Sequence, residues 1–171
     1  MSWWQKDTND EVATSPELWR PISQRVDGFD LDPAAGAEST PIATHRYTRD
    51  DDGLSKRWFG TVWLNPPFSD KTPWYRRLVG QYQSGDVDCA VALAPVTPSS
   101  QWFHRWFARA DALCFLEGRD WYEGRGSNPS FSTMLGVWDP TAELLDWMSS
   151  VGVVSYPEPR DSQQKLCEVT R

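Results

Sequence analysis

The sequence predicts an α/β protein with a mostly parallel central sheet, helices on both faces and antiparallel strands near the C-terminus. Three observations predict this class. Short apolar runs alternate with segments of roughly 10–15 residues whose apolar side chains recur at helical spacing. The run Cys89–Ala94 is apolar throughout, as expected of a strand covered on both faces. The length, 171 residues, suits one domain that buries its own core.

Helix caps and apolar spacing predict the elements in chain order. Thr14-Ser15-Pro16-Glu17 predicts a helix start, with Thr14 as the hydroxyl cap and Glu17 three residues later. A strand at 29–32 then enters a tight turn at 33–36, whereas residues 37–60 are polar and predict no regular element. The remaining predicted elements are a strand at 61–64, a helix from Thr72, a strand at 89–94, a helix from Ser99 or Ser100 to Ala110, strands at 113–116 and 130–138, a helix opened by Asp139-Pro140, and a strand at 151–156.

The rest of the organisation is simple. We expect one domain over 1–171, with an N-terminal arm at 1–9 and a polar tail at 157–171. The three cysteines are far apart and the two histidines are isolated, so we expect no disulfide framework and no metal site. No apolar run approaches the ~18 residues of a membrane span, and the first residues lack the apolar core of a signal peptide. We therefore expect a cytoplasmic protein that does not enter membranes.

Charge is the unusual feature of the composition. Acids outnumber bases 24 to 17, for a net charge of −7, and lysine is rare. A protein that holds DNA only by neutralising phosphates is normally basic. An acidic, lysine-poor surface is typical of a salt-rich cytoplasm, where screening shortens the range of self-repulsion, so we expect a halophile. An ordinary, mildly acidic protein is the alternative.

Two predicted strands end in residues suited to binding a ligand. In open α/β sheets, ligands bind in the crevice outside the carboxyl ends of the strands. Asp32 stands at the first such end and is followed by Pro33-Ala34-Ala35-Gly36, whose small residues let a backbone approach a charged ligand closely. A plain turn between a strand and a loop is the alternative interpretation of these residues.

The second strand end is Asn65-Pro66-Pro67-Phe68. Two prolines fix two φ angles and remove two backbone donors, so this loop is stiff. Its carbonyl groups and the Asn65 amide offer acceptors, and Phe68 adds an aromatic face. Such a set suits an exocyclic amino group on a flat heterocycle. The alternative is a stiff turn with Phe68 in the core.

These loops carry a resemblance to a known family. Leu64–Phe68 resembles the Asn/Asp/Ser-Pro-Pro-aromatic catalytic loop of S-adenosylmethionine-dependent amino-methyltransferases, and Leu31–Gly36 resembles their cofactor loop. Residues 10–18 are similar to the segment that precedes that loop, and Asp52-Gly53-Leu54 to a short acidic segment before the catalytic strand. In this order and spacing, over roughly residues 10–120, the motifs resemble the phage-type DNA adenine-N6 methyltransferase (Dam) family.

The resemblance implies a Rossmann-like class I methyltransferase fold and site-specific methyl transfer from S-adenosyl-L-methionine to the N6 amino group of a flipped adenine in DNA, by a monomer or homodimer. The catalytic residues it implies are Asn65, Pro66, Pro67 and Phe68. The cofactor-binding residues it implies are Thr14, Asp32, Pro33, Ala34, Gly36, Asp52 and Leu54. Asp50 and Asp51 are interpreted as a solvated run beside Asp52.

Arginines are the candidate contacts to DNA phosphates. Arg105 and Arg109 have i, i+4 spacing on a predicted helix, and Arg119 and Arg125 stand in the loop 117–128. Three other functions remain open: cytosine-N4 methylation, methylation of a protein glutamine, and a catalytically silent module that binds nucleic acid.

Overall fold

A computed structural model describes residues 13–36, 41–118, 121–122 and 131–158 of the chain. Four helices and seven strands lie within them. In chain order these are α1 (Pro16–Arg25), β1 (Phe29–Asp32), β2 (Ala43–Arg46), β3 (Gly60–Leu64), α2 (Thr72–Gln83), β4 (Val87–Pro95), α3 (Gln101–Arg105), β5 (Ala112–Leu116), β6 (Thr133–Trp138), α4 (Ala142–Val151) and β7 (Gly152–Ser155). None of these helices is long and apolar enough to cross a membrane.

The seven strands form one sheet in the order β2-β1-β3-β4-β6-β5-β7. The first four pair in parallel, whereas β6 is antiparallel to both β4 and β5, and β7 is antiparallel to β5. Five strands therefore run in one direction, and only β6 and β7 oppose them. This confirms the predicted α/β class, with antiparallel strands near the C-terminus.

Helices cover both faces of the sheet, as predicted, and the two faces are packed differently. On one face α2 and α3 bury an aromatic layer that includes Trp58, Trp74, Tyr75, Trp102, Phe107 and Trp138. On the other, α1 and α4 bury mainly aliphatic side chains, among them Leu18, Ile22, Leu144 and Met148. The strand β4 contributes to both layers, which explains its unbroken apolar run.

The start of α1 differs from the prediction by one residue. Ser15, not Thr14, is the N-cap, and its Oγ accepts a hydrogen bond of 3.3 Å from the backbone N–H of Glu17. Thr14 is occupied elsewhere, because its backbone pairs with Tyr122 in an antiparallel β-bridge. The predicted capping pair of Thr14 and Glu17 was therefore wrong.

Two other elements differ from the prediction. β2 lies at the edge of the sheet with only Ala43 buried, so its sequence carries no apolar alternation and predicted no strand. The helix expected from Ser99 or Ser100 to Ala110 ends at Arg105, and a short 3-10 turn, Phe107–Arg109, follows it. The backbone leaves helical geometry at Trp106, and both Trp102 and Phe107 are buried around this break.

Candidate functional site

The candidate site lies where the order of the strands reverses. From β1 the chain passes to β2 on one side, while β3 and β4 lie on the other side. Loops that leave two neighbouring parallel strands in opposite directions open a crevice at their carboxyl ends. Asp32 ends β1 and Asn65 follows β3, and these two strands are paired through Leu31 and Val62. Both predicted loops therefore border one crevice.

The loop after β1 is held by backbone hydrogen bonds. The Asp32 side chain is only 4% exposed, and its Oδ1 accepts a bond of 3.2 Å from the N–H of Ala34. The N–H of Tyr47 donates to the Asp32 carbonyl at 2.9 Å, and the N–H of Ala35 donates to the Tyr47 carbonyl at 3.0 Å. These bonds hold the predicted turn against the segment that follows β2. Gly36, the last residue of the turn, is half-buried.

The acidic segment Asp52-Gly53-Leu54 packs against this loop. A Cβ atom at Gly53 would collide with the carbonyl oxygen of Pro33, so only glycine allows the contact. The Gly53 carbonyl accepts a hydrogen bond of 2.8 Å from Trp58 Nε1, and Leu54 packs on the aromatic layer. The two segments together line a pocket formed by Pro33, Ala34, Ala35, Tyr47, Thr48, Arg49, Asp52, Gly53 and Trp74.

Asp51 and Asp52 have different roles. Asp51 Oδ2 accepts hydrogen bonds from the backbone N–H of Thr48 at 2.7 Å and from its hydroxyl at 2.8 Å, and these bonds lower the pKa of the Asp51 carboxyl. Asp51 therefore caps a turn and is more than a solvated charge. In the described part of the chain no hydrogen bond reaches the carboxylate of Asp52, which lines the pocket.

The loop after β3 is organised by side chains. Asn65 Nδ2 donates a hydrogen bond of 3.2 Å to Thr14 Oγ1, and the Thr14 side chain is only 3% exposed. This bond orients the amide, and among the described residues no hydrogen bond occupies the other amide atom, Oδ1. Pro66 and Pro67 are buried. The loop thus presents the Asn65 amide from a rigid support.

Phe68 is half-buried at the end of this loop. Its ring centroid lies 5.4 Å from that of Phe131, with the ring planes inclined by 58°. The Phe68 carbonyl accepts a hydrogen bond of 2.8 Å from Lys71 Nζ. Phe68 also packs against the side chains buried under α1 and α4. It is therefore partly a core residue, as the alternative interpretation expected, and it remains partly exposed beside Asn65.

Two polar residues near Asn65 were not predicted. The hydroxyls of Tyr122 and Thr133 lie 3.2 Å apart, and the Thr133 side chain is 2% exposed. Burial raises the pKa of Tyr122 to about 12, so its phenol is neutral at physiological pH. Thr14 pairs with Tyr122 through the backbone and bonds to Asn65 through its hydroxyl, so Thr14 connects these two residues to Asn65. Their signals were weak: Tyr122 follows Trp121 in a polar loop, and Thr133 alone carries a hydroxyl in β6.

The predicted arginines are only partly described. Arg105 is exposed and Arg109 half-buried, both on the face that carries α2 and α3, and Arg109 Nε donates to the Arg105 carbonyl at 2.9 Å. Because α3 ends between them, they do not share one helix as expected. Arg119 and Arg125 lie outside the described residues. In the residues that are described, no group of three or more His, Cys, Asp or Glu side chains could hold a metal ion.

Comparisons with known proteins agree with the motifs in these loops. The sequence model of the family described as "DNA N-6-adenine-methyltransferase (Dam)" matches residues 2–131. A protein of Escherichia phage T1 described as "DNA N-6-adenine-methyltransferase" is 28% identical over 109 residues, which cover 61% of this chain. The match spans 44% of the length of that relative. Since the family model covers most of the chain, including both loops of the crevice, the protein belongs to the DNA N-6-adenine-methyltransferase (Dam) family.

Proposed function

We propose that this protein transfers a methyl group from S-adenosyl-L-methionine to the N6 amino group of adenine in DNA. One observation carries the proposal. Asn65, on a proline-stiffened loop at the reversal point of the sheet, has its amide oriented by a buried threonine and lies across the crevice from a buried carboxylate. Membership of the Dam family supports the substrate and the position that is methylated.

The residues after β1 fit the methyl donor. The donor supplies a methyl group on a positively charged sulfur, which makes that carbon a good electrophile. Asp32 would face the positively charged amino end of the donor, and Ala34 and Ala35, which have small side chains, line the pocket beside it. Asp52 lines the adjoining pocket and would accept hydrogen bonds from polar groups of the donor. Leu54 and Gly36 complete the proposed cofactor-binding set, together with Pro33.

The residues after β3 fit the adenine. Asn65 Oδ1 and the Pro66 carbonyl would accept the two hydrogens of the amino group, which turns the nitrogen lone pair toward the methyl donor. Proximity and orientation of this kind supply a large part of the catalysis in transfers without a covalent intermediate. Phe68 would stack on the base, and this contact offsets part of the few kcal/mol that flipping it out of a duplex costs. Pro67 keeps the loop rigid.

Thr14, which the resemblance assigned to the cofactor pocket, also contacts Asn65. Its hydroxyl accepts from Asn65 Nδ2, which supports a positioning role for Thr14 more directly than a place in the cofactor pocket. An asparagine amide can rotate by half a turn and exchange its donor and acceptor. In this structure the Thr14 hydroxyl accepts from Nδ2, and in this orientation Oδ1 is the amide atom that meets the substrate.

The strand order supports a finer assignment of the fold. A parallel group, β2-β1-β3-β4, is extended by β6 in the opposite direction, followed by β5 in the original direction. We propose that this is a Rossmann-like class I methyltransferase fold and that residues 1–171 form one methyltransferase domain. The position of the candidate loops at the reversal point agrees with where such sheets bind ligands.

The modified bases of a host genome test the proposed function. The full chain is expressed in bacteria that lack adenine methylation, and the genomic DNA is sequenced for modified bases. We expect N6-methyladenine at one short recurring sequence, and none in cells that express Asn65→Leu at the same level. DNA without modified bases, from cells with folded wild-type protein that binds the methyl donor, would contradict the proposal and favour the silent binding module.

A further inference from the structure

Positive charge is concentrated on one face of this acidic protein. The chain has a net charge of −7, yet α2, α3 and the turn after α3 carry four arginines and no acid. The helices on the opposite face, α1 and α4, carry three acids and two arginines. The four residues on the basic face are Arg76, Arg77, Arg105 and Arg109.

These arginines contact aromatic rings and carbonyl groups rather than carboxylates. Arg76 lies 5.9 Å from the centroid of the Trp106 ring, and Arg77 lies 5.7 Å from that of Trp58. Arg77 also donates to the Lys56 carbonyl, as Arg109 does to that of Arg105. Within the described residues none of the four forms an ion pair. A guanidinium stacked on a ring keeps its charge and can still donate hydrogen bonds in its plane.

The basic face adjoins the proposed adenine site. Lys71 donates to the Phe68 carbonyl at 2.8 Å, and its Nζ lies 5.2 Å from the centroid of the Trp102 ring on α3. Helix α2 begins at the next residue, so Arg76 follows Lys71 by about 7.5 Å along the helix axis. A surface therefore leads from the catalytic loop to Arg76 and Arg105, both of which are exposed.

Several acidic side chains lie at the other end of the sheet. Acids gather at the amino ends of β4 and β5 and at the end of β6, which meets the same edge. Asp111 accepts hydrogen bonds there from the Tyr82 hydroxyl and the Asp139 N–H, so its carboxylate also interacts with neutral groups. The acids at this edge are Asp86, Asp88, Asp111 and Asp139. These acids disfavour a polyanion at that edge.

We infer that Arg76 and Arg105 form the surface that binds the phosphates of the DNA strand beside the target adenine. Arg109 stands two residues before Asp111, near the acidic edge, and is not part of this surface. The inference rests on the proposed function, since it assigns the path of that substrate. Arg76 joins Arg105, one of the four arginines that the sequence indicated, and its guanidinium lies against the Trp106 ring. Arg77 is half-buried and donates a hydrogen bond to the Lys56 carbonyl, so we assign it a structural role beneath the exposed arginines.

The salt dependence of DNA binding tests this surface. The affinity of the full chain for a short DNA duplex is measured between ~50 and ~200 mM salt, where each lost phosphate contact lowers the slope by about 0.9. We expect Arg76→Gln to reduce the slope by about 1 and Arg76→Gln with Arg105→Gln by about 2. Arg20→Gln is the matched control, because Arg20 is also exposed and stacks on a tryptophan, 5.4 Å from the Trp19 ring, but on the opposite face.

The outcomes separate this inference from the proposed function. An unchanged slope in Arg76→Gln, or an equal change in Arg20→Gln, would overturn the surface even if the wild-type protein methylates DNA. A reduced slope confined to the variants of the basic face would support the surface even if no methyl transfer were detected. Binding of the methyl donor and the thermal midpoint of unfolding should be the same in all three variants and the wild type.

Discussion

The two loops of the crevice reach rigidity by different means. The loop after β1 is fastened by backbone hydrogen bonds to Tyr47, and its carboxylate is bonded to Ala34 within the same loop. The loop after β3 is stiffened by two prolines, and its amide makes one hydrogen bond, to Thr14. The first arrangement suits a ligand held by a fixed charge and backbone. The second presents a side chain to a substrate that enters and leaves.

The comparison predicts its largest effect at Asn65. We expect Asn65→Leu, which has nearly the same shape, to lower kcat by about 100- to 1000-fold, as the loss of one preorganised polar contact does in other active sites. Asn65→Asp keeps the oxygen acceptors and should retain measurable activity. Calorimetry should give both variants the wild-type affinity for the methyl donor. An active Asn65→Leu would remove the distinction between the two loops.

Asp32 should show the reverse pattern. Asp32→Ala should weaken binding of the methyl donor by about 100-fold, since hydrogen bonds to charged groups contribute about 3 kcal/mol at most. Asp32→Asn is the matched variant, because it keeps the acceptor for the Ala34 N–H but removes the charge. We expect it to lose most of the same affinity while kcat at saturating donor stays near the wild-type value. Unchanged donor affinity in both variants would place the cofactor elsewhere.

Phe68 tests whether the loop after β3 also contacts the base. Base–aromatic stacking contributes ~2 kcal/mol, so Phe68→Ala should lower kcat/KM for DNA by about 30-fold. Phe68→Tyr retains the ring and should remain active. Steady-state kinetics with varied DNA, at saturating methyl donor, measure both variants. If Phe68→Ala were as active as the wild type, Phe68 would not stack on the base, and its role would be limited to packing against Phe131.

The smallest effect is expected at Thr14. Thr14→Val removes the acceptor for Asn65 Nδ2 but keeps the shape, and a neutral hydrogen bond contributes ~1 kcal/mol, so kcat should fall about 5-fold. Thr14→Ser should restore the wild-type kcat. A structural role alone would lower the thermal midpoint without this difference in kcat. Tyr82→Phe serves as the control, since it removes the hydrogen bond from the Tyr82 hydroxyl to Asp111 at the amino end of the sheet, away from the crevice.

Sequence patterns predicted the elements that are defined by burial. The apolar spacing of β3, β4 and α2 is typical of strands covered by other elements or of helices with one buried face. These three elements lie close to their predicted positions. β2 was missed because its position depends on pairing with β1 at an exposed edge. The cap at Ser15 was misassigned because Thr14 is used by contacts with Tyr122 and Asn65, which come from distant parts of the chain.

The candidate site shows the same division. The two loops were predicted because their chemistry lies within a few consecutive residues. The contacts among Thr14, Tyr122 and Thr133 join three separate segments of the chain, and no local sequence pattern predicts them. The concentration of arginines on one face likewise depends on which helices share that face. The expectation of a halophile concerns the whole surface and stays a prediction.

Transfer of an isotope-labelled methyl group tests the central claim most directly. The purified protein is incubated with unmethylated DNA and S-adenosyl-L-methionine labelled in its methyl group, and the digested nucleosides are identified by mass spectrometry. We predict that the label appears in N6-methyl-2′-deoxyadenosine, that Asn65→Leu lowers the rate of labelling by at least about 100-fold, and that Asn65→Asp retains part of it. Label in N4-methylcytosine or in protein, or equal labelling of adenine by Asn65→Leu and the wild type, would contradict the account.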